Sequence, residues 1–131
     1  MRPLIALLVL LSLTAPFARA DGIKAPQFTL SLTFTGLAVG DTCATIYGVS
    51  HLGLVERNRL LRGCFERGNY APVWGLQILG TAAILAACHV LIHSDTRFGR
   101  TLGWTLLIAA NVARGLIVLH NLRLNHQVQG R

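Results

Sequence analysis

Four apolar stretches alternate with polar linkers along the chain, and their lengths divide them into two kinds. The first, residues 4–13, is broken only by Ser12, follows Met1-Arg2-Pro3 and leads to Ala18-Arg19-Ala20. A short apolar run behind one positive charge and ahead of an A-x-A end is the pattern of a secretory leader. A spanning helix needs about 20 residues. Residues 1–20 are therefore expected to be a signal peptide cut after Ala20, and residues 21–131 a single membrane domain. An uncleaved leader would add a fourth helix and leave the rest of the topology unchanged.

The other three stretches, residues 28–50, 71–93 and 101–122, are each near the length that crosses a hydrocarbon core. In lipid every backbone N–H must find an internal partner, so only helices and closed barrels span it. The alternation of period two that marks a barrel strand is absent. The expected fold class is all-α, an integral membrane bundle of three transmembrane helices. Tyr47, Tyr70, Trp74 and Trp104 stand near the expected ends, where aromatic rings favour the headgroup level.

Charge supplies the orientation. Arg57, Arg59, Arg62 and Arg67 fall in the first linker and Arg123 and Arg131 in the tail, against Arg97 and Arg100 in the second linker. Lys and Arg gather in cytoplasmic loops. The mature N-terminus is expected outside and the C-terminus inside, in a bacterial cytoplasmic membrane. The net charge of +7 does not point to nucleic acid, because the arginines separate apolar runs instead of forming an exposed basic face. Charged residues make up 13% of the chain, about half the share of an ordinary soluble domain.

Two charges lie inside the apolar stretches. Asp41 is 13 residues after Phe28, and Arg114 is 13 after Thr101. On helices running the same way, both would sit roughly 20 Å from the outer boundary. A lone charge at the bilayer centre is unfavourable by about 2.5–3.5 kcal/mol on insertion scales, so an Asp41–Arg114 ion pair is expected. Thr45 at i+4 from Asp41, Asn111 at i−3 from Arg114 and Gln77 on the middle helix complete an expected polar cluster. The cluster reads either as structural glue between helices or as part of an ion, proton or ligand path.

Gly36, Gly40, Ala44 and Gly48 recur every four residues, a ladder of small residues that lets a second helix approach closely. Gly80, Ala83 and Ala87 of the middle helix are one candidate facing surface, a second copy another. Cys43, Cys64 and Cys88 form no C-x-x-C pair, and Cys43 and Cys88 read as packing residues. His89 and His93 share a helix face but have no third ligand at metal-binding spacing, so no metal and no cofactor is assigned. No nucleophile elbow, metalloprotease motif or phosphate loop occurs.

Asp41-Thr42-Cys43-Ala44-Thr45 followed by Glu56-Arg57-Asn58 resembles a family of short bacterial multi-pass membrane proteins of unknown function, with Asp-x-x-x-Thr and Glu-x-Asn-Pro patterns. The resemblance covers residues 28–124. It departs from the family at Arg59, where the pattern has Pro, and Asn111 or Asn121 matches a late Asn. It implies that Asp41, Thr45, Glu56 and Asn58 form one site. With His51 and His120 expected at the same level, His51, Glu56, Asn58 and His120 are candidates for a cytoplasmic mouth.

Two functional readings follow. The first is a structural or accessory subunit, packed on partner helices in a homo-oligomer or larger membrane complex, with the lipid bilayer as its surroundings. The second is transport of an ion, proton or small solute by an oligomer. An intramembrane enzyme is the weakest reading.

Overall fold

A computed structural model of the chain describes residues 24–56 and 58–130. The expected leader, residues 1–20, lies outside them. The described residues form four helices and no strand: α1 (Ala25–Leu52), α2 (Arg59–Glu66), α3 (Ala71–Ile92) and α4 (Arg97–Gln129). The three long apolar stretches all become helices, each close to its expected limits except that α4 runs well past both ends. In the linker between the first two, an amphipathic helix, α2, appears that hydropathy alone did not mark. Its polar side carries Arg62 and Glu66, paired at 3.0 Å, and its apolar side buries Phe65.

Local chemistry sets the ends. α1 closes on Gly53, whose φ of 68° lies in the left-handed region that side chains disfavour. Pro72 opens α3 within its first turn, where a missing N–H has no consequence. Thr96 caps α4, its Oγ1 accepting from the Gly99 N–H at 3.0 Å. Arg100 Nη1 donates to the Ser94 and Asp95 carbonyls, which ties the turn between α3 and α4 shut. At Gly103 the two helices nearly touch: a Cβ there would stand 2.7 Å from the Ile92 nitrogen.

α1 and α4 run parallel, with α3 antiparallel between their faces. Leu30 meets Asn111, Ala44 meets Asn125 and Tyr47 meets Gln129. On α1 the inward positions Leu30, Phe34, Leu37, Asp41, Ala44 and Gly48 alternate at spacings of four and three. On α4 Leu107, Asn111, Arg114, Val118, Asn121 and Asn125 do the same. This is the seam spacing of helices packed at a shallow angle. Towards the hairpin joining α3 and α4, the seam is apolar: Phe34, Leu85, Cys88, Ile92 and Leu107 form the core. Towards the end carrying α2 it is polar.

The small-residue ladder is only partly used. An i+4 stripe precesses by about 40° per step on a straight helix, so it cannot face one neighbour throughout. Ala44 and Gly48 are buried, a Cβ on Gly40 would stand 4.0 Å from Val118, and Gly36 is exposed, with no described residue within 4 Å of where its Cβ would be. Gly80, Ala83 and Ala87 do not meet the ladder. They lie on the exposed side of α3, which instead buries Val73, Thr81, Leu85, Cys88 and Ile92.

Two helices, α3 and α4, are long and apolar enough to cross a membrane. Only 22% and 17% of their apolar stretches are covered by the rest of the fold, whereas a core helix of a soluble domain is mostly covered. Leu76, Leu79, Val90, Val112, Leu116 and Leu119 stand out from the bundle instead. α1 falls short of the same standard because it carries Asp41 and many hydroxyls. Those hydroxyls are largely satisfied within the helix: Thr29, Thr33, Thr35, Thr42 and Ser50 each donate to the carbonyl four residues back.

Gly103→Ala is expected to destabilise the fold by about 1–3 kcal/mol, because the added methyl meets backbone that cannot step aside. Gly80→Ala, with nothing within 4 Å of the new carbon, is expected to be neutral or mildly stabilising. Thermal unfolding of both variants in one mild detergent checks the contrast.

Candidate functional site

The polar half of the seam is organised by Asp41. Arg114 Nη1 donates to its Oδ2 at 3.0 Å, and Asn121 Nδ2 donates to its Oδ1 at 2.8 Å. Asn121 also reaches Thr45 Oγ1 at 3.3 Å. Gln77 of α3 lies beside the guanidinium. With its amide turned so that oxygen faces nitrogen, it accepts from Arg114 Nη1 and Nη2 at 2.9 and 3.2 Å. The Phe34 ring lies under the guanidinium, 5.4 Å from Cζ to the centroid. The Asp41 and Arg114 side chains are 16% and 17% exposed, so the charges are held away from bulk solvent and each has more than one partner.

Arg114 and Asp41 are not level with each other. The helix register places Asn121 beside Asp41, and Arg114 lies seven residues earlier, roughly 10 Å along the axis. The ion pair forms because arginine is long enough to reach towards the α2 end. That reach also corrects the placing of Asn111 in the cluster. Asn111 is level with Leu30, and its Nδ2 donates to the Leu30 and Leu107 carbonyls at 3.1 and 2.9 Å. Arg114 points the other way along the seam, so Asn121 takes the place expected for Asn111.

Below this cluster the bundle splays into a cleft of about 1140 Å³, walled by α1, α3, α4, α2 and the residues before α2. Asp41, Thr45, Gln77 and Asn121 form its floor; Glu56, Asn58, Arg59 and Arg62 stand around its mouth, and His120, next to Asn121 on α4, lines it too. Asp41, Thr45, Glu56 and Asn58 thus border one cavity, in two pairs. Asn121 joins the first pair, and in the second Glu56 Oε1 accepts from the Asn58 N–H at 2.8 Å. His51 does not line the cleft. It is exposed, stacked on Tyr47 with ring centroids 5.0 Å apart, and bonded to Ser50. Its position one turn past Tyr47 turns it outward.

Asn125 belongs to the site and was not expected there. Its Nδ2 donates to the Ala44 carbonyl at 2.9 Å, and its amide fills the space left by Gly48, where a Cβ would meet Oδ1 at 2.5 Å. Asn121 stands seven residues after Arg114 and Asn125 fourteen after Asn111. That heptad spacing of polar residues was the available signal. Lower on the seam, Gln129 Nε2 donates to the Tyr47 hydroxyl at 2.8 Å.

At the hairpin end Gln27 Nε2 bonds His89 Nδ1 at 3.1 Å, and the His89 and His93 rings lie 4.2 Å apart. Among the described residues no three His, Cys, Asp or Glu side chains gather as a metal site would require. Set against protein-family models, curated proteins and solved structures, the chain matches none.

Removing one member of a buried ion pair leaves the other uncompensated. Asp41→Leu alone and Arg114→Leu alone are each expected to destabilise by about 3 kcal/mol or more, and the double variant by clearly less than either single. A double-mutant cycle on detergent-solubilised protein measures this. Asn121→Leu is expected to lower stability by about 1 kcal/mol, the scale of an interhelical hydrogen bond in lipid.

Proposed function

We propose that the chain is a multi-pass protein of a bacterial cytoplasmic membrane that admits a small polar solute or ion from the cytoplasm into the cleft beneath Asp41. In this reading three helices span the bilayer, α1, α3 and α4, behind a cleaved leader. The mature N-terminus is outside, the C-terminus inside, and α2 lies along the cytoplasmic interface. Support for α1 as a spanning helix comes from its hydroxyls, which bond back to its own carbonyls and so present little unsatisfied polarity to lipid. Support for the orientation comes from Arg59, Arg62 and Arg67 at the α2 end.

The observation that carries the proposal is the position of the charged pair. Its Asp41 lines a cavity, while the guanidinium of Arg114 lies over the ring of Phe34, which packs with Leu85 and Leu107 in an apolar layer. Glue alone needs no cavity. Ionisable groups placed deep in a bundle and facing a cavity mark solute and ion sites. The accessory-subunit reading keeps one support, the exposed Gly36 beside the exposed Leu32, a surface on which a partner helix could lie. The rest of the small-residue ladder is occupied within the chain.

Thiol labelling checks both cleft and topology. In protein with Cys43, Cys64 and Cys88 replaced by Ala, Thr45→Cys is expected to react with a membrane-impermeant maleimide in inside-out vesicles and to stay unlabelled in right-side-out vesicles. Val112→Cys, on the apolar surface, is expected to react in neither. Labelling of Thr45→Cys from outside only, or from neither side, would contradict the reading.

A further inference from the structure

We propose that the species this cleft serves is the proton, and that the cleft continues through the bundle as a single-file polar track interrupted by one dry layer. This rests on the cytoplasmic cleft proposed above and names what moves through it. The track follows α3. Gln77, Thr81, Leu85, His89 and His93 are four residues apart in succession, so each stands one turn, about 6 Å, from the next in a row that winds gradually round the helix. All but Leu85 are polar. Leu85 packs with Phe34 and Leu107.

Buried atoms on this track lack partners. Thr81 is 1% exposed and Gln27 4%, yet among the described residues Thr81 Oγ1, Gln27 Oε1 and Asn111 Oδ1 have no hydrogen-bond partner. Thr81 is distinctive here: Thr29, Thr33, Thr35 and Thr42 all bond back to their own helix, whereas the Thr81 hydroxyl does not. An unmet buried polar atom is unfavourable by about 1–3 kcal/mol, and water is the partner small enough to meet it. Thr81 lies one turn beyond Gln77, on the cleft side of the dry layer. Gln27 and His89 lie on the far side, and Asn111 lies against the layer itself.

A chain of single waters passes protons without passing hydrated ions. Sodium or potassium would need a ring of oxygen ligands to replace its hydration shell, and single amide and hydroxyl oxygens one turn apart do not form one. The floor is suited to the task. A hydronium on the waters of the cleft gives a proton to the Asp41 carboxylate, one O–H bond breaking to leave a neutral water as another forms on the carboxylate. Gln77 then remains as acceptor for Arg114, so the guanidinium is not left alone when Asp41 is neutral. The groups around Asp41 are Arg114, Gln77, Asn121 and Thr45, with Glu56, Arg59, Arg62 and His120 elsewhere on the walls of the cleft. Gln27 and His93 stand beside His89. Leu85, Phe34 and Leu107 act as a gate that conducts when it wets.

The test uses the full chain in phosphatidylethanolamine–phosphatidylglycerol vesicles loaded with a pH-reporting dye, with a potassium diffusion potential as driving force. Wild-type protein is expected to carry protons above the empty-vesicle rate. Thr81→Val, equal in shape but without the hydroxyl, is expected to slow the flux by about tenfold, the scale of one buried hydrogen bond, and Asp41→Asn at least as much. Leu85→Ser is expected to raise proton flux while sodium flux stays at background. Wild-type flux equal to that of empty vesicles, or Thr81→Val equal to wild type, overturns the proposal, as does sodium passing Leu85→Ser as readily as protons. Should Leu85→Ser fail to fold, Thr81→Val decides alone. Sided labelling of Thr45→Cys separates the two readings: if it persists while proton flux is absent, the cleft stands and the proton route falls.

Discussion

A carboxylate and a guanidinium placed among apolar helices must find each other, and the shape of this bundle follows from how they do so. Asp41 is fixed on α1 and Arg114 on α4, about 10 Å out of level, and the arginine spans the difference to a 3.0 Å contact. Both charges need further partners once shielded from water, and Asn121, Thr45 and Gln77 supply them. A side chain from each of the three long helices is therefore committed to one point, which sets the register of α1 against α4 and holds α3 beside them. Phe34 contributes on both sides of the boundary, one ring serving the guanidinium and the apolar core.

From that point the molecule divides. Towards the hairpin it is tightly closed, by Gly103 against Ile92 and by the Phe34–Leu85–Leu107 layer. Towards α2 it opens, because Asn121, Asn125 and Gln129 join α4 to α1 through hydrogen bonds while α3 has Val73 and Gln77 over a cavity. A bundle that served only as a scaffold would be expected to fill this space with apolar side chains. An ionisable floor, a polar mouth and a dry far wall are the elements of a gated site, which is why the functional proposal is built on the cleft and not on the surface ladder.

Much of this was legible in the amino-acid sequence. Long apolar runs show as helices because backbone polarity leaves no other choice in such segments, and the Asp41–Arg114 partnership follows from the unfavourable solvation of either charge alone. What could not be read was register. Matching Asp41 and Arg114 by distance from the helix starts assumed that α1 and α4 begin level. The real offset is set by side-chain packing at Leu30, Ala44 and Gly48, and it exchanges Asn111 for Asn121. The same cause turned Gly80, Ala83 and Ala87 outward, since small residues mark a possible contact and not the direction it faces. α2 escaped notice because eight residues in which Arg59, Arg62 and Glu66 interrupt a few apolar positions resemble a polar linker in any long hydropathy window. His51 was misplaced because sharing a level with Glu56 and Asn58 says nothing about which side of α1 it leaves.

The central claim, that Asp41 and Arg114 are joined inside the bundle in a lipid environment, is most directly tested by solid-state NMR on protein in bilayers. With arginine side chains labelled with nitrogen-15 and aspartate carboxyls with carbon-13, the expected result is a strong dipolar coupling between Arg114 Nη and Asp41 Cγ, as the 3.0 Å nitrogen–oxygen contact requires, lost in Arg114→Gln. Absence of that coupling in well-folded protein would mean that the two charges are held apart, and the shared floor of cleft, seam and proton track would not exist.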